Sequence, residues 1–295
     1  MFQILTDTSA NLDTAVLQQR NIHVIPFHFY VDGQSHFCEN TAKFDGKAFY
    51  DAIRAGARST TSQISPQAYI DEMTPMLAAG DDVLFVSMSS GISGSFASSQ
   101  VAAQHLSAEF PQRTIRLVDT RGASLGEGLL ALRAADMRDA GADIDETADA
   151  IFALHRNMCQ IFTVEDLKYL RATGRVSGAA ATVAPVLNIC PIMRLDDKGA
   201  IKAYSKVRGK KKAVETTVDT MEQHAQGGRD YDGKCFICHS QCPEDARLVI
   251  EAVEERFPRL KGHIRLCDIG TIIGSHAGQG TVAVFFMGNE RPHME

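Results

Sequence analysis

Residues 83–118 read VLFVSMSSGISGSFASSQVAAQHLSAEFPQRTIRLV, and this stretch decides the fold. Val83 to Val86 is a compact, wholly apolar run, the pattern of a strand buried on both faces. Small residues fill Ser89 to Ser95, a helix is expected from about Phe96 to Phe110, and Thr114 to Val118 returns to a strand. Strand, loop, helix and strand in that order make a βαβ unit, whose two strands run parallel.

The pattern extends to both sides. Gln3 to Thr6 reads as a first strand and Ile22 to Val31 as a second, closed by Asp32-Gly33. Lys47 to Ala57 carries apolar residues at helical spacing, and Pro66 favours a helix start that runs to about Ala79. Leu125 to Ala140 is an Ala/Leu-rich helix, and Asp143 opens another to about Asn157. The alternation predicts an α/β fold with an N-terminal, mostly parallel sheet flanked by helices. Beyond that point the pattern changes. A strand from Cys159 is followed by helices over Glu165 to Ala172 and Ala181 to Ile189, then by a hairpin turning at Asp196-Asp197-Lys198-Gly199. Helices over Lys210 to Gln226 and Pro243 to Phe257, with strands to Ser240, through Asp268 and over Val282 to Met287, complete an α+β second domain. Two domains, 1–157 and 158–295, suit a 295-residue chain, which exceeds the size at which one core stops growing.

Composition excludes several classes. Hydrophobic residues make up 44% and charged residues 22%, which is globular rather than disordered. Thirty basic against 36 acidic side chains leave a net charge of −6, the wrong sign for gripping nucleic acid. The start, Met-Phe-Gln-Ile-Leu-Thr-Asp, lacks a signal-peptide pattern and no apolar run is long enough to span a bilayer, so a cytoplasmic protein with reduced cysteines and no stable membrane insertion is expected. Cys235-Phe-Ile-Cys238-His239-Ser-Gln-Cys242 invites a metal reading. Lys234 to His239 alternates like a strand, however, which turns Cys235 and Cys238 to opposite faces, and no metal is expected. The basic run Arg208-Gly209-Lys210-Lys211-Lys212 reads either as a solvated helix start or as a docking patch.

Small hydroxyls carry the functional signal. Asp7, Thr8 and Ser9, then Thr60 to Gln63, which precede a helix, Ser89 to Ser95, and Asp119, Thr120 and Ser124 are expected in the loops just after the C-terminal ends of the first-domain strands. In an open α/β sheet such loops converge on one rim, where helix N-termini favour an anionic group such as a carboxylate. Each cluster also precedes a helix, so capping accounts for any one of them. No phosphate-binding or dinucleotide glycine motif follows a strand, and no cofactor is expected. Gly91-Ile92-Ser93-Gly94-Ser95 approximates the nucleophile elbow Gly-x-Ser-x-Gly but lacks its last glycine. The chain order Ser93, then Asp119 or Asp268, then His276 makes a Ser/His acyl hydrolase the principal rival reading. Gly274-Ser275-His276-Ala277-Gly278-Gln279-Gly280 reads as a flexible loop before the last strand, with an imidazole between glycines.

Taken together, these motifs resemble the DegV family, whose characterised members include the fatty-acid-binding subunits of bacterial fatty acid kinase. The resemblance spans essentially the whole chain. It rests on Thr6-Asp7-Thr8-Ser9, Thr60-Thr61-Ser62-Gln63, Ser89 through Phe96 and Asp119 through Gly128, then on Leu167-Lys168-Tyr169-Leu170 with Gly174-Arg175-Val176, Leu187-Asn188-Ile189 with Pro191-Ile192, and Ile273-Gly274-Ser275-His276 with Gly278 and Gly280. It implies a long-chain fatty acid in an apolar tunnel, its carboxylate at a hydroxyl-lined mouth between the domains. Thr61 and Ser93 would bond the carboxylate, with Ser62 nearby and His276 closing the site. Arg175 matches an arginine implicated in work with a partner kinase. The chain departs from the family pattern at Gln279, at Ser95-Phe96, at Thr173 and at Cys38-Glu39-Asn40.

The resemblance implies a carrier that is not itself an enzyme, and the physics agrees. Each buried methylene contributes about 0.8 kcal/mol, so the tail supplies affinity, while hydroxyls satisfy the carboxylate without burying a counter-charge. A lipid-responsive interaction protein is the third reading.

Overall fold

The computed structural model describes residues 2–38, 45–176, 188–289 and 291. The chain divides into two compact units, one of Met1–Phe44 with Thr61–His155, the other of Asp45–Thr60 with Arg156–Glu295.

In the first unit, β1 (Phe2–Asp7), β2 (Ile22–Ile25), β6 (Asp82–Ser87) and β7 (Ile115–Asp119) form a four-stranded sheet in the order β2-β1-β6-β7, every pair parallel. Ile4, Leu5 and Val83 to Val86 are wholly buried, as unbroken apolar runs require when helices cover both faces. The unit's helices are α1 (Thr14–Gln19), α3 (Pro66–Ala78), α4 (Ser95–Glu109), α5 (Leu125–Asp139) and α6 (Ile144–Leu154). Local sequence sets their starts: Ser65 caps α3 by accepting from Ala68 N, with Pro66 in the first turn, and Asp143 caps α6 by accepting from Glu146 N.

The expected strand Ile22 to Val31 is two strands. Pro26, which has no N–H for a ladder, separates β2 from β3 (Phe27–Val31). β3 instead pairs antiparallel with β4 (Gln34–Cys38), through a two-residue turn in which Asp32 and Gly33 both take positive φ (49° and 82°).

The second unit is built on a six-stranded sheet of β8 (Met158–Thr163), β9 (Ile189–Leu195), β10 (Ile201–Arg208), β11 (Cys235–His239), β12 (Arg265–Asp268) and β13 (Val282–Met287), in the order β10-β9-β8-β13-β11-β12. Only β11 and β12 run parallel. The β9–β10 hairpin turns where expected, with Asp196 Oδ1 accepting from Lys198 N and Ala200 N. α8 (Lys210–His224) and α9 (Pro243–Arg256) pack on the sheet through Val218, Met221, Val249 and Val253. α2 (Gly46–Arg54) and the start of β5 (Ser59–Thr61) also belong here, and the Tyr50 hydroxyl donates to Ile269 O at 2.8 Å. The helix expected over Glu165 to Ala172 is shorter, α7 (Lys168–Ala172), because Asp166 turns the chain first by accepting from Lys168 N. The helix expected over Ala181 to Ile189 lies outside the described residues up to position 187, and Ile189 itself opens β9. Among the described residues no helix is long and apolar enough to cross a membrane.

Close packing in the first unit sets a test. A Cβ at Gly128 would stand 2.7 Å from Ala10 O and 2.9 Å from Leu12, so α5 could not keep its seat against the loop after β1. Gly128→Ala is expected to cost about 1–3 kcal/mol of stability, read from denaturant melts.

Candidate functional site

The sheet order places a topological switch between β1 and β6, since the chain leaves β1 toward β2 on one side and reaches β6 on the other. The crevice beyond the C-terminal ends of such strands is where open α/β sheets bind ligands. The loops there are those rich in hydroxyls and acids, and most of their polar atoms are already engaged. Ser90 N and Oγ donate to Asp119 at 3.2 and 2.6 Å, Asp119 also accepts from Arg121 N at 2.9 Å, and Thr120 Oγ1 donates to Ser87 O at 2.8 Å. Ser89 N reaches Gly122 O at 2.8 Å. These residues join the β6 and β7 loops to one another rather than waiting for a ligand.

Thr61, Ser62 and Ser93 are half-buried on the first unit. The segment after Ser62 lies on the turn that holds Ser93: Ile64 N donates to Ser95 Oγ at 3.1 Å, and the Gln63 side chain fills the space a Cβ on Gly94 would need. The Ser93 hydroxyl donates to Ser95 Oγ at 3.0 Å and accepts from Ser95 N at 3.2 Å. Ser62 N donates to His28 O.

The strained turn of a nucleophile elbow is found at Ser124, not at Ser93. Ser124 has φ 55° and ψ −138°, between β7 and α5, in the run Gly122-Ala123-Ser124-Leu125-Gly126. That run matches Gly-x-Ser-x-Gly more fully than residues 91–95, and the glycine spacing was its signal in the sequence. Ser124 is buried, and its turn delivers the first helical turn of α5, with Glu127, to the end of β1.

There the structure holds a buried acid pair that sequence reading missed. Asp7 and Glu127 are both wholly inaccessible. Thr6 Oγ1 lies 2.9 Å from Val86 O and 2.8 Å from Glu127 Oε1. Thr6 Oγ1 has a single proton to give to these two acceptors. Asp7 is the acid of the pair that gives up its proton first. It accepts from Ser9 N at 2.8 Å and from Ser9 Oγ, which also lies 2.8 Å from Glu127 Oε2. The electrostatics agree: burial pushes the Asp7 carboxyl up to about 6 against its serine hydrogen bonds, and burial plus the Asp7 charge holds Glu127 well above the usual carboxylate range. The signal available in sequence was a single glutamate among small and apolar residues, Leu125-Gly-Glu127-Gly-Leu.

In the second unit a cavity of about 540 Å³ opens between the sheet and helices α8 and α9. Val164, Leu167, Ile189, Val214, Val249, Val282 and Val284 form its apolar wall, and Lys168, Arg171, Lys206 and Lys210 are its basic members. The segment expected to be a flexible loop before the last strand is instead mostly helical, α10 (Thr271–Ala277), with His276 in its last turn. Ser59 Oγ lies 2.7 Å from Ser275 Oγ, and Gly278 ends the helix at φ 76° with the Tyr169 ring where a Cβ would stand. Burial, and then the charge of Arg175, lower the His276 imidazole to about 4, so it is neutral at physiological pH. Arg175 is half-buried, bonded through its N–H to Leu170 O and through its guanidinium to Thr173 O. The basic run is a helix start: Lys210 pairs with Asp245 at 2.7 Å and Lys212 with Glu215 at 3.1 Å. Cys235 lies buried in β11, and burial pushes its thiol, like that of Cys242, up to about 12.

The acid pair predicts a pH profile. In the folded protein it retains protons that the unfolded chain releases at ordinary carboxyl pH. The stability it contributes is therefore complete below that range and falls as pH rises through about 6 and beyond. Glu127→Gln, the neutral isostere, should melt higher than the parent above neutral pH and flatten the profile. Glu127→Leu should lose about 1–3 kcal/mol by stranding Thr6 and Ser9. Thermal melts between about pH 5 and 8 check both.

Comparison with known proteins places this architecture. Residues 1–289 match the family model described as the uncharacterised DegV family. A DegV domain-containing protein of Clostridium perfringens is 32% identical over 290 residues, covering 98% of each chain. A Thermus thermophilus DegV family protein, whose structure is described as showing fatty acid binding, superposes with TM-score 0.84 at 26% identity over 98% of this chain and 99% of that one. The Streptococcus pneumoniae fatty acid kinase B3 protein, solved loaded with linoleic acid, shares the fold at TM-score 0.82 and 20% identity, covering 97% of this chain and 99% of its own. With its parallel switch-point sheet, its hydroxyl rim and a family match over nearly its whole length, this chain belongs to the DegV family.

Proposed function

We propose that this protein is a non-catalytic carrier that binds one long-chain fatty acid and presents its carboxylate, without any cofactor, to a partner fatty acid kinase. The observation that carries the reading is the family match over residues 1–289; the second unit's apolar-walled cavity of about 540 Å³ is lined by none of Thr61, Ser62, Ser93 and His276. Burial of the tail supplies the affinity at about 0.8 kcal/mol per methylene. Thr61, Ser62 and Ser93 bond the carboxylate, and His276, neutral at working pH, adds a hydrogen bond without a second charge. Fatty acid binding by the Thermus thermophilus relative supports the ligand class, and the pneumococcal protein's designation supports a kinase partner. Arg175 serves transfer or docking, because a guanidinium suits a phosphate or a partner's carboxylate and no part of the tail requires it.

The hydrolase reading has less to stand on. Among the described residues held at positive φ, which a strained elbow needs, Ser124 is found and Ser93 is not.

Native mass spectrometry of the purified protein should show one co-purifying fatty acid, and calorimetry on delipidated protein should show saturable binding at one equivalent; no binding of any fatty acid would sink the proposal. Thr61→Ala and Ser93→Ala should each weaken binding by about 1–3 kcal/mol with folding intact. Arg175→Ala should bind fatty acid nearly as the parent does yet lose acyl phosphate formation with a cognate kinase, at an unchanged melting temperature. Turnover of activated acyl esters that depends on both Ser93 and His276 would restore the hydrolase.

A further inference from the structure

Two buried polar atoms behind the first unit's rim lack partners. Asp7 Oδ2 has no donor, and the Tyr69 hydroxyl, on a residue as fully buried as Asp7, makes no well-formed hydrogen bond. Tyr69 stands beside Ser95 and within electrostatic reach of the Asp7–Glu127 pair. Ser95 in turn accepts the hydroxyl proton of Ser93 at 3.0 Å. A row of hydroxyls, Ser93, Ser95 and Tyr69, thus leads inward from the rim to an acid pair that holds one proton and has room on Asp7 Oδ2 for a second.

We propose that the Asp7–Glu127 pair senses the charge of the ligand headgroup: an anion seated at Ser93 draws one proton from solvent onto Asp7, so affinity for anionic amphiphiles rises as pH falls. This inference rests on the reading of Ser93 as a headgroup contact. Two like charges in a poorly solvated site repel strongly, and a pair carrying one negative charge relieves that repulsion by taking up a proton. No screening cation is available, since among the described residues neither carboxyl is bonded to a Lys, Arg or His side chain. The titratable groups facing the pair are the two acids themselves and Tyr69 from α3, whose phenol burial and the acids push further up. Asp119 on β7, the next acid along the rim, is held by Ser90 and Arg121 N. The pair sits within reach of neutral pH, because Asp7 titrates at about 6 before any ligand arrives. A neutral headgroup leaves the pair as it is.

The test uses an alkyl sulfonate with a long saturated chain, whose headgroup stays ionised throughout, so any proton taken up belongs to the protein. Delipidated full-length protein is titrated by calorimetry near neutral pH, in two buffers of different ionisation enthalpy. The expected result is net uptake approaching one proton per sulfonate bound, with affinity rising by up to about tenfold per pH unit lowered. The matching fatty alcohol should bind with no uptake. The double variant Asp7→Asn/Glu127→Gln, which keeps the shape and removes both titrations, should fold and bind the sulfonate without linked protons. Equal uptake for sulfonate and alcohol, undiminished uptake in a folded double variant, or sulfonate affinity that is flat with pH would each overturn the inference alone. Should the variant fail to fold, the sulfonate–alcohol comparison on the parent protein decides. Failure of the parent to bind any amphiphile overturns the carrier reading, and this inference with it.

Discussion

A pair of buried carboxyls, Asp7 and Glu127, ties the first unit together. Asp7 ends the first strand and Glu127 stands in the first turn of α5, 120 residues later in the chain; Ser9 bridges the two, and Thr6 joins Glu127 to Val86 O. Two buried charges without a cation would be untenable, whereas one charge with one proton is held by hydrogen bonds from small side chains. The positive end of α5 favours the negative charge that remains. Gly128, where a Cβ would meet Ala10 O and Leu12, allows the close approach of α5 to the loop after β1.

That constraint explains how the rim is built. A parallel sheet sends the C-terminal ends of its strands to one edge, and each chain leaving that edge exposes backbone groups that need partners. In this protein Asp119, Thr120, Ser89 and Ser90 meet most of that need. The abundance of hydroxyls there is therefore mainly architectural, and it comes from loop joining rather than helix capping, since neither α4 nor α5 has a side-chain cap. A rim fixed in this way presents its few remaining hydroxyls from a rigid support, which is what recognition of a small charged group requires. The second unit is built differently. Its mixed sheet and two long helices enclose an apolar-walled cavity whose basic members are Lys168, Arg171, Lys206 and Lys210.

Legibility followed the range of the interactions. Strands β1, β6 and β13 and the β9–β10 hairpin were readable because unbroken apolar runs and turn chemistry are local signals. The break at Pro26 was present in the sequence but was outweighed by the apolar run around it. β4, a mostly exposed strand with the sequence Gln-Ser-His-Phe-Cys, carries no periodic burial and left no signal. Residues 271–277 read as a loop because Gly, Ser and His are poor helix formers, yet contacts from Ser59 and Tyr50 hold them helical.

By itself, the sequence determined the α/β class, the order of most elements, the hydroxyl-rich loops after the sheet strands and the family to which they belong, because each of these is written in local periodicity, turn chemistry or a contiguous motif. Only the tertiary structure decided which hydroxyls are spent on the scaffold, that Ser124 rather than Ser93 takes the strained turn, and that Glu127 meets Asp7. The reason is physical: the protonation of a buried carboxyl and the engagement of a hydroxyl depend on which atoms lie within about 3 Å, and here those atoms come from segments far apart in the chain.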